Sequence, residues 1–272
     1  GFAVLGVVLA QGRGRVIYAI VLVLAAFIGR LPLSKELWPL GLRETGGARV
    51  ASHELLDGYR AAGIGRAYLV LRREKMDVPA YLGRDGGSGV ALAYVVLEES
   101  ASVPESLDAA FPFVRHATVA LGFPDVLFTP RDAYARLLDR YWQTGADLVL
   151  GLFPTPPERR SSTDMVRLAA DGRVTEIEVR PPASELEYNW LLAVWGPPFT
   201  ALLHEHVAAG RRDAERSRSE PSRPEPHLGD LFRHALGSLR VVGVPFPEGS
   251  FRDLGTPAEL AKQMKFFSAA SS

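Results

Sequence analysis

Val16-Ile17-Tyr18-Ala19-Ile20-Val21-Leu22-Val23-Leu24-Ala25-Ala26-Phe27-Ile28 is an apolar run of 13 residues between Arg13-Gly14-Arg15 and Gly29-Arg30-Leu31-Pro32. The fold turns on how this run is read. Basic residues before an apolar core also describe a secretion signal. The run is shorter than the roughly 20 residues a membrane-spanning helix needs, and no small-x-small cleavage pattern follows it. A continuous β-branched run bounded by glycine and proline has the pattern of a strand buried on both faces. It is therefore read as a buried strand over residues 20–26, and no membrane partner is expected.

Working outward, strand and helix patterns alternate. Residues 52–62 read as a helix with Leu55, Leu56 and Tyr59 on one face, and residues 67–71 and 90–97 as strands. Residues 107–114 read as a helix or capped turn, 118–122 as a strand leading to Asp125, 130–145 as a helix, and 147–152 as a strand. Strands separated by helices imply a mostly buried parallel sheet with right-handed crossovers. The expected fold is α/β, a three-layer, Rossmann-like sandwich with a mainly parallel central sheet, in a single domain over residues 1–272.

The second half reads differently. Residues 165–168 and 174–179 flank Ala170-Asp171-Gly172, a hairpin signal. A strand at 191–195, helices at 199–208 and 228–236, a strand at 240–244 and a closing helix at 257–267 follow. Between them, residues 211–226 are rich in charge, serine and proline with Ala214 as the one apolar residue, and are read as a flexible loop.

Composition narrows the function classes. Of 272 residues, 47% are hydrophobic and 23% charged, the balance of a globular protein. Lys plus Arg and Asp plus Glu each number 31, so no overall field attracts a nucleic acid polymer, which is not expected as a partner. The absence of cysteine removes disulfides, thiolate zinc sites and cysteine nucleophiles together. It suits a cytoplasmic location, which is the expectation. His204 and His206 stand two apart on an expected helix, off a common face, so no zinc site is assigned.

Three segments carry chemistry. In Gly249-Ser250-Phe251-Arg252-Asp253-Leu254-Gly255-Thr256-Pro257-Ala258-Glu259-Leu260, Thr256 suits a helix N-cap and Pro257 the first helical position. Asp253 then ends a short extended segment, held where a carboxylate can meet a cation. In Val119-Ala120-Leu121-Gly122-Phe123-Pro124-Asp125-Val126-Leu127-Phe128, Asp125 follows the carboxyl end of an apolar strand, where open α/β sheets bind ligands. It is read as a surface carboxylate. Ser34-Lys35-Glu36-Leu37-Trp38-Pro39-Leu40-Gly41 adds a lysine.

In this order and rough spacing, from about residue 20 to residue 260, the three segments resemble the sugar-1-phosphate nucleotidyltransferases, typified by glucose-1-phosphate thymidylyltransferase. The resemblance implies that Asp125 and Asp253 hold Mg2+ and that Lys35 contacts phosphate. It implies Arg180, in Glu178-Val179-Arg180-Pro181-Pro182, at the sugar phosphate, and Asn189, in Tyr188-Asn189-Trp190, beside the sugar. The implied partners are a nucleoside triphosphate and a sugar-1-phosphate, with pyrophosphate as product. Homo-oligomerisation is left open.

The family's triphosphate loop is glycine-rich, letting backbone N–H groups close on phosphate oxygens. Val7-Val8-Leu9-Ala10-Gln11-Gly12-Arg13-Gly14-Arg15 is one candidate; Leu22-Val23-Leu24-Ala25-Ala26-Phe27-Ile28-Gly29-Arg30 is the other and runs directly into Lys35. The second is adopted, with Ala25, Ala26 and Gly29 at the nucleotide and Arg30 a catalytic cation beside Lys35. Phe27 stands where the first glycine belongs, and Glu98-Glu99-Ser100-Ala101-Ser102 replaces the family's base-reading residues. Weak triphosphate binding and slow turnover are the expectation. The alternative is an impaired relative acting as a nucleotide- or sugar-binding module. A glycosyltransferase of related fold would want an Asp-x-Asp motif, which the chain lacks.

Overall fold

A computed structural model describes residues 16–23, 34–44, 46–216 and 227–254. In chain order its strands are β1 (Ile17–Val23), β2 (Pro39–Leu42), β3 (Ala48–Val50), β4 (Arg66–Arg72), β5 (Ala91–Leu97), β6 (Thr118–Gly122), β7 (Val126–Thr129), β8 (Leu148–Pro154), β9 (Met165–Leu168), β10 (Val174–Glu178), β11 (Tyr188–Trp195), β12 (Val241–Pro245) and β13 (Ser250–Asp253). The helices are α1 (Ala51–Ala61), α2 (Asp77–Leu82), α3 (Val103–Asp108), α4 (Phe111–Val114), α5 (Ala133–Thr144), α6 (Pro197–Arg216) and α7 (Leu228–Ala235).

Nine strands form one twisted sheet. β1 pairs in parallel with β4 on one side and β6 on the other, and β5 extends the parallel block beyond β4. Antiparallel β11 joins β6 to β8, and β12 lies parallel to β8. The β9–β10 hairpin attaches to the start of β11. The expected sandwich with a mainly parallel sheet is the observed architecture.

β1 explains the three layers. Ala19 and Val21 belong to the core that holds Leu55, Leu56 and Tyr59 of α1 and Tyr134 and Leu137 of α5. Tyr18 and Ile20 face the opposite core, with Phe199 and Leu203 of α6 and Leu231 and Phe232 of α7. A period of two with both faces apolar is why the run lacks polar alternation. Among the described residues no helix is long and apolar enough to cross a membrane.

Several boundaries move. β1 begins three residues earlier than expected, because pairing of Ile17 with Thr118 and Ala19 with Ala67 sets its register. A uniformly apolar run carries no internal mark of where pairing starts. α6 continues to Arg216, so the first six residues of the expected 211–226 loop are helical. There Arg211 reaches Glu105 before α3's second turn, with N–O distances of 3.2 Å. The rest of that loop and the closing helix at 257–267 lie outside the described residues. The β2–β3 hairpin and α2 were not foreseen.

Gly122 ends β6 under three side chains. A Cβ there would come within 2.5 Å of Leu55 Cδ1, 2.5 Å of the Tyr59 hydroxyl and 2.6 Å of the Tyr134 hydroxyl. Tyr134 is fixed by donating to Leu121 O at 2.8 Å, so the space cannot open cheaply. Gly122→Ala is expected to cost about 1–3 kcal/mol, read as a lower midpoint in urea denaturation with unchanged slope.

Candidate active site

The carboxyl ends of β6 and β8, the start of β11 and the residue before β9 meet along one edge of the sheet. This is the edge where strand-end loops of open α/β sheets bind ligands. Asp125 lies there in the turn between β6 and β7. Its backbone is held from the far end of the chain: Leu254 N–H donates to Asp125 O at 2.9 Å. Antiparallel β7–β13 pairing sets Asp253 opposite Val126. Two aspartates 128 positions apart in sequence are thus neighbours along one small ribbon.

Lys35 arrives from the other side on a single 3-10 turn, Lys35–Leu37. Leu37 N–H and Trp38 N–H close the turn on Ser34 O and Lys35 O. Asp77, just inside α2, accepts from both the Ser34 amide and the Ser34 hydroxyl at 2.7 Å each. Ser52 Oγ donates to Glu36 O at 2.7 Å. So clamped, the Lys35 ammonium meets Asp125 Oδ2 at 2.5 Å, with side chains only 6% and 8% exposed. Asp125 is therefore a buried, paired carboxylate and not the surface group expected; the turn sinks beneath the Lys35 segment.

Glu36 is fully buried and shares Oε2 with the Lys75 ammonium at 3.2 Å. Its other oxygen, Oε1, has no protein partner. Burial pushes its carboxyl up, and Lys75 offsets only part of that. The site thus holds two buried carboxylates against two lysines.

The other flank holds Arg180 and Asn189. Asn189 is buried, paired across the sheet with Phe153 and Met165, and its Oδ1 has no protein partner. Arg180 is exposed, with a left-handed φ of 42°. Between them lies Asp164, whose Oδ2 accepts from Trp190 Nε1 at 3.0 Å. Burial raises the Asp164 carboxyl, offset first by the Trp190 bond and then by Arg180. Phe123, two residues before Asp125, touches the Trp190 ring at a centroid distance of 6.2 Å and joins the flanks. Lys35 and Asp125 meet, Asp253 adjoins them along the backbone, and Arg180 with Asn189 sits apart beside Asp164. Ala25, Ala26, Gly29 and Arg30 lie outside the described residues.

Among the described residues no three acidic or histidine side chains converge as a metal site by themselves. Magnesium takes one or two carboxylates and completes its shell with water and phosphate oxygens. Asp125 beside Asp253 fits that donor chemistry, with Lys35 neutralising Asp125 meanwhile. Glu36, Lys75, Asp77 and Asp164 went unread in the sequence. Glu36 adjoins Lys35, but the link from Ser34 to Asp77 spans 43 residues and leaves no local signal.

No protein-family profile matches the sequence, and no curated protein matches it. Solved structures do share its fold. A Bacillus anthracis protein assigned as a glucose-1-phosphate thymidylyltransferase, solved with sucrose, is 16% identical with a TM-score of 0.71, over 91% of this chain and 93% of that one. A UDP-glucose pyrophosphorylase complexed with UDP-glucose is 13% identical with a TM-score of 0.71, over 93% and 98%. A UDP-glucose pyrophosphorylase from Acinetobacter baumannii is 17% identical with a TM-score of 0.70, over 90% of each chain. The fold is that of the sugar nucleotidyltransferases.

Asp125→Asn would leave the Lys35 ammonium buried without a counter-charge. A loss of about 3–5 kcal/mol is expected in denaturation, and much of it should return in Lys35→Met/Asp125→Leu. For Asp164 the folded carboxyl holds its proton more tightly than the unfolded one, whose value is near 3.8. Its contribution is fully present below that value and is lost as pH rises through the folded value. The stability of Asp164→Asn relative to wild type should therefore rise with pH across this window and then level off, in denaturation series at successive pH.

Proposed function

We propose that the protein transfers a nucleotidyl group from a nucleoside triphosphate to a sugar-1-phosphate. An oxygen of the sugar phosphate attacks the α-phosphorus, the new P–O bond forms, and the bond to pyrophosphate breaks. The observation that carries this reading is the buried Lys35–Asp125 pair at the carboxyl edge of a sheet with this fold. Charge gathers on phosphate oxygens during such a transfer, so positioned cations contribute most of the catalysis.

In this reading Lys35 leaves Asp125 for a phosphate oxygen, a compact charge on a stem already held by Ser34 and Asp77. Asp125 and Asp253 would hold Mg2+, which neutralises phosphate charge when bound. Arg30 would join Lys35 at the phosphates, with Ala25, Ala26 and Gly29 along the triphosphate. Arg180 would meet the sugar phosphate, and the unpartnered Asn189 Oδ1 offers an acceptor to a sugar hydroxyl. The Mg2+ requirement and the thymidylyltransferase-like substrate pair belong to the proposal. The pairing is supported by the resemblance of the three motifs, while residues 98–102 differ from the family's base-reading segment. There Ser102 Oγ instead caps α3 through the Glu105 amide at 3.2 Å.

The test is pyrophosphate release with glucose-1-phosphate, Mg2+ and each nucleoside triphosphate in turn. Slow turnover with one of them is expected, falling about 100-fold or more in Lys35→Ala while circular dichroism shows the fold retained. Triphosphate binding without turnover would favour a non-catalytic binding module. Neither binding nor turnover with any triphosphate would sink the proposal.

A further inference from the structure

The nine-stranded sheet has unlike ends. β10 carries Thr175, Glu176 and Glu178 and an irregular register between Val174 and Glu176. Charges and bulges of this kind keep an edge strand from pairing with another chain. β12, which pairs with β8, is a further edge; it carries Gly243 and Pro245, and Arg173 bridges to its Val242. β5 is the remaining edge, and its seven residues, Ala91-Leu92-Ala93-Tyr94-Val95-Val96-Leu97, contain no charge, proline or glycine. Its register with β4 runs unbroken from Ala91 opposite Arg66 to Leu97 opposite Arg72. By the rules that govern sheet edges, β5 is unprotected.

Its backbone orientation can be assigned. In a parallel ladder alternate residues turn N–H and C=O to the same neighbour. Leu92 N–H donates to Arg84 O at 2.8 Å, outside the ladder with β4. Tyr94 and Val96 therefore also point their amides and carbonyls outward, where no described residue meets them. Exposed apolar side chains flank this stretch: Val96 is 45% exposed, and Phe113, stacked on Tyr68 of β4 at 5.3 Å, is 47% exposed.

We propose that β5 pairs antiparallel with β5 of a second copy of this chain, about a two-fold axis at Val95. Tyr94 of each copy then faces Val96 of the other, each pair exchanging two backbone hydrogen bonds. Arg84, already seated on Leu92, stops the ladder from extending further and so limits the register. The strand reads positive to negative, from exposed Arg84 at its start to exposed Glu98 and Glu99 beyond its end, Glu98 being met within its own chain by exposed Arg73 at 3.0 Å. An antiparallel second copy sets Glu98 against Arg84 twice. This self-complementarity of charge and backbone is what selects a second copy over a foreign strand.

Because the chain has no cysteine, one introduced thiol reports the geometry. Cα atoms of a directly opposed, non-hydrogen-bonded pair lie about 4.5 Å apart, within reach of a disulfide. Val95→Cys, oxidised with copper–phenanthroline, should give a covalent dimer on a non-reducing gel, while Ala93→Cys should not. In sedimentation equilibrium the wild type should run at twice the 29.6 kDa chain mass. Val96→Pro removes only an outward amide and spares the β4 ladder, so it should give a monomer with unchanged circular dichroism. Glu98→Arg should weaken association about tenfold, and Arg84→Glu/Glu98→Arg should restore it. A monomeric wild type, a dimer indifferent to Val96→Pro, or crosslinking through Ala93→Cys and not Val95→Cys would overturn the proposal.

Discussion

Everything at the carboxyl edge depends on β1 being paired in parallel on both sides. Its register with β6 sets Val21 against Gly122, and its register with β4 sets Val23 against Leu71. Three strands consequently end at one level, and the segments leaving them open toward the same space. Burial on both faces makes this placement costly to change, since a slip of one residue would exchange Ile20 and Val21 between the two cores. A site built from strand-end loops inherits that rigidity without having to supply it.

The ion pair built on this frame is not a device for stability. Two charges removed from water are seldom repaid in full by their mutual attraction, and a well-packed apolar pair in the same volume often does as well or better. Glu36 sharpens the point, being a second buried carboxylate with one oxygen unpartnered among protein groups. A chain retaining a close lysine–aspartate pair, the Glu36–Lys75 pair beside it and an unmatched acceptor holds an excess of polar demand in one place. In the proposed reaction, an incoming phosphate and cation would meet that demand.

Much of the fold was legible because helices and buried strands leave periodic traces. Leu55, Leu56 and Tyr59 recur at helical spacing, and residues 118–122 read as the strand that forms. Lys35, Asp125 and Asp253 could be picked out because each sits in a compact motif beside glycine or proline. What could not be read depends on distance: Asp77 holds Ser34 from 43 residues away, and Asp164 meets Trp190 across 26. The burial of Asp125 was illegible for the same reason. Its own neighbours make a polar-looking turn, while the cover comes from the Lys35 segment. At the far end of α6, the pattern of charge suggested a loop, yet arginine, alanine and glutamate are sound helix formers, and residues 211–216 extend the helix.

Two residues separate Asp125 from the end of β6, so its position depends on what else holds the turn. Gly122 is fixed by the three side chains that crowd its Cα, and the next two residues, Phe123 and Pro124, turn the chain away from the strand. With β6 as the only anchor, these two residues would leave the carboxylate's position to the turn. A second anchor removes that freedom, because β13 pairs with β7 immediately after Asp125 and Leu254 N–H bonds Asp125 O. The same ribbon that carries Asp253 thus fixes Asp125. An aspartate held from both sides of its turn can absorb a change in loop length without losing its partner lysine, whereas one held only by its strand could not.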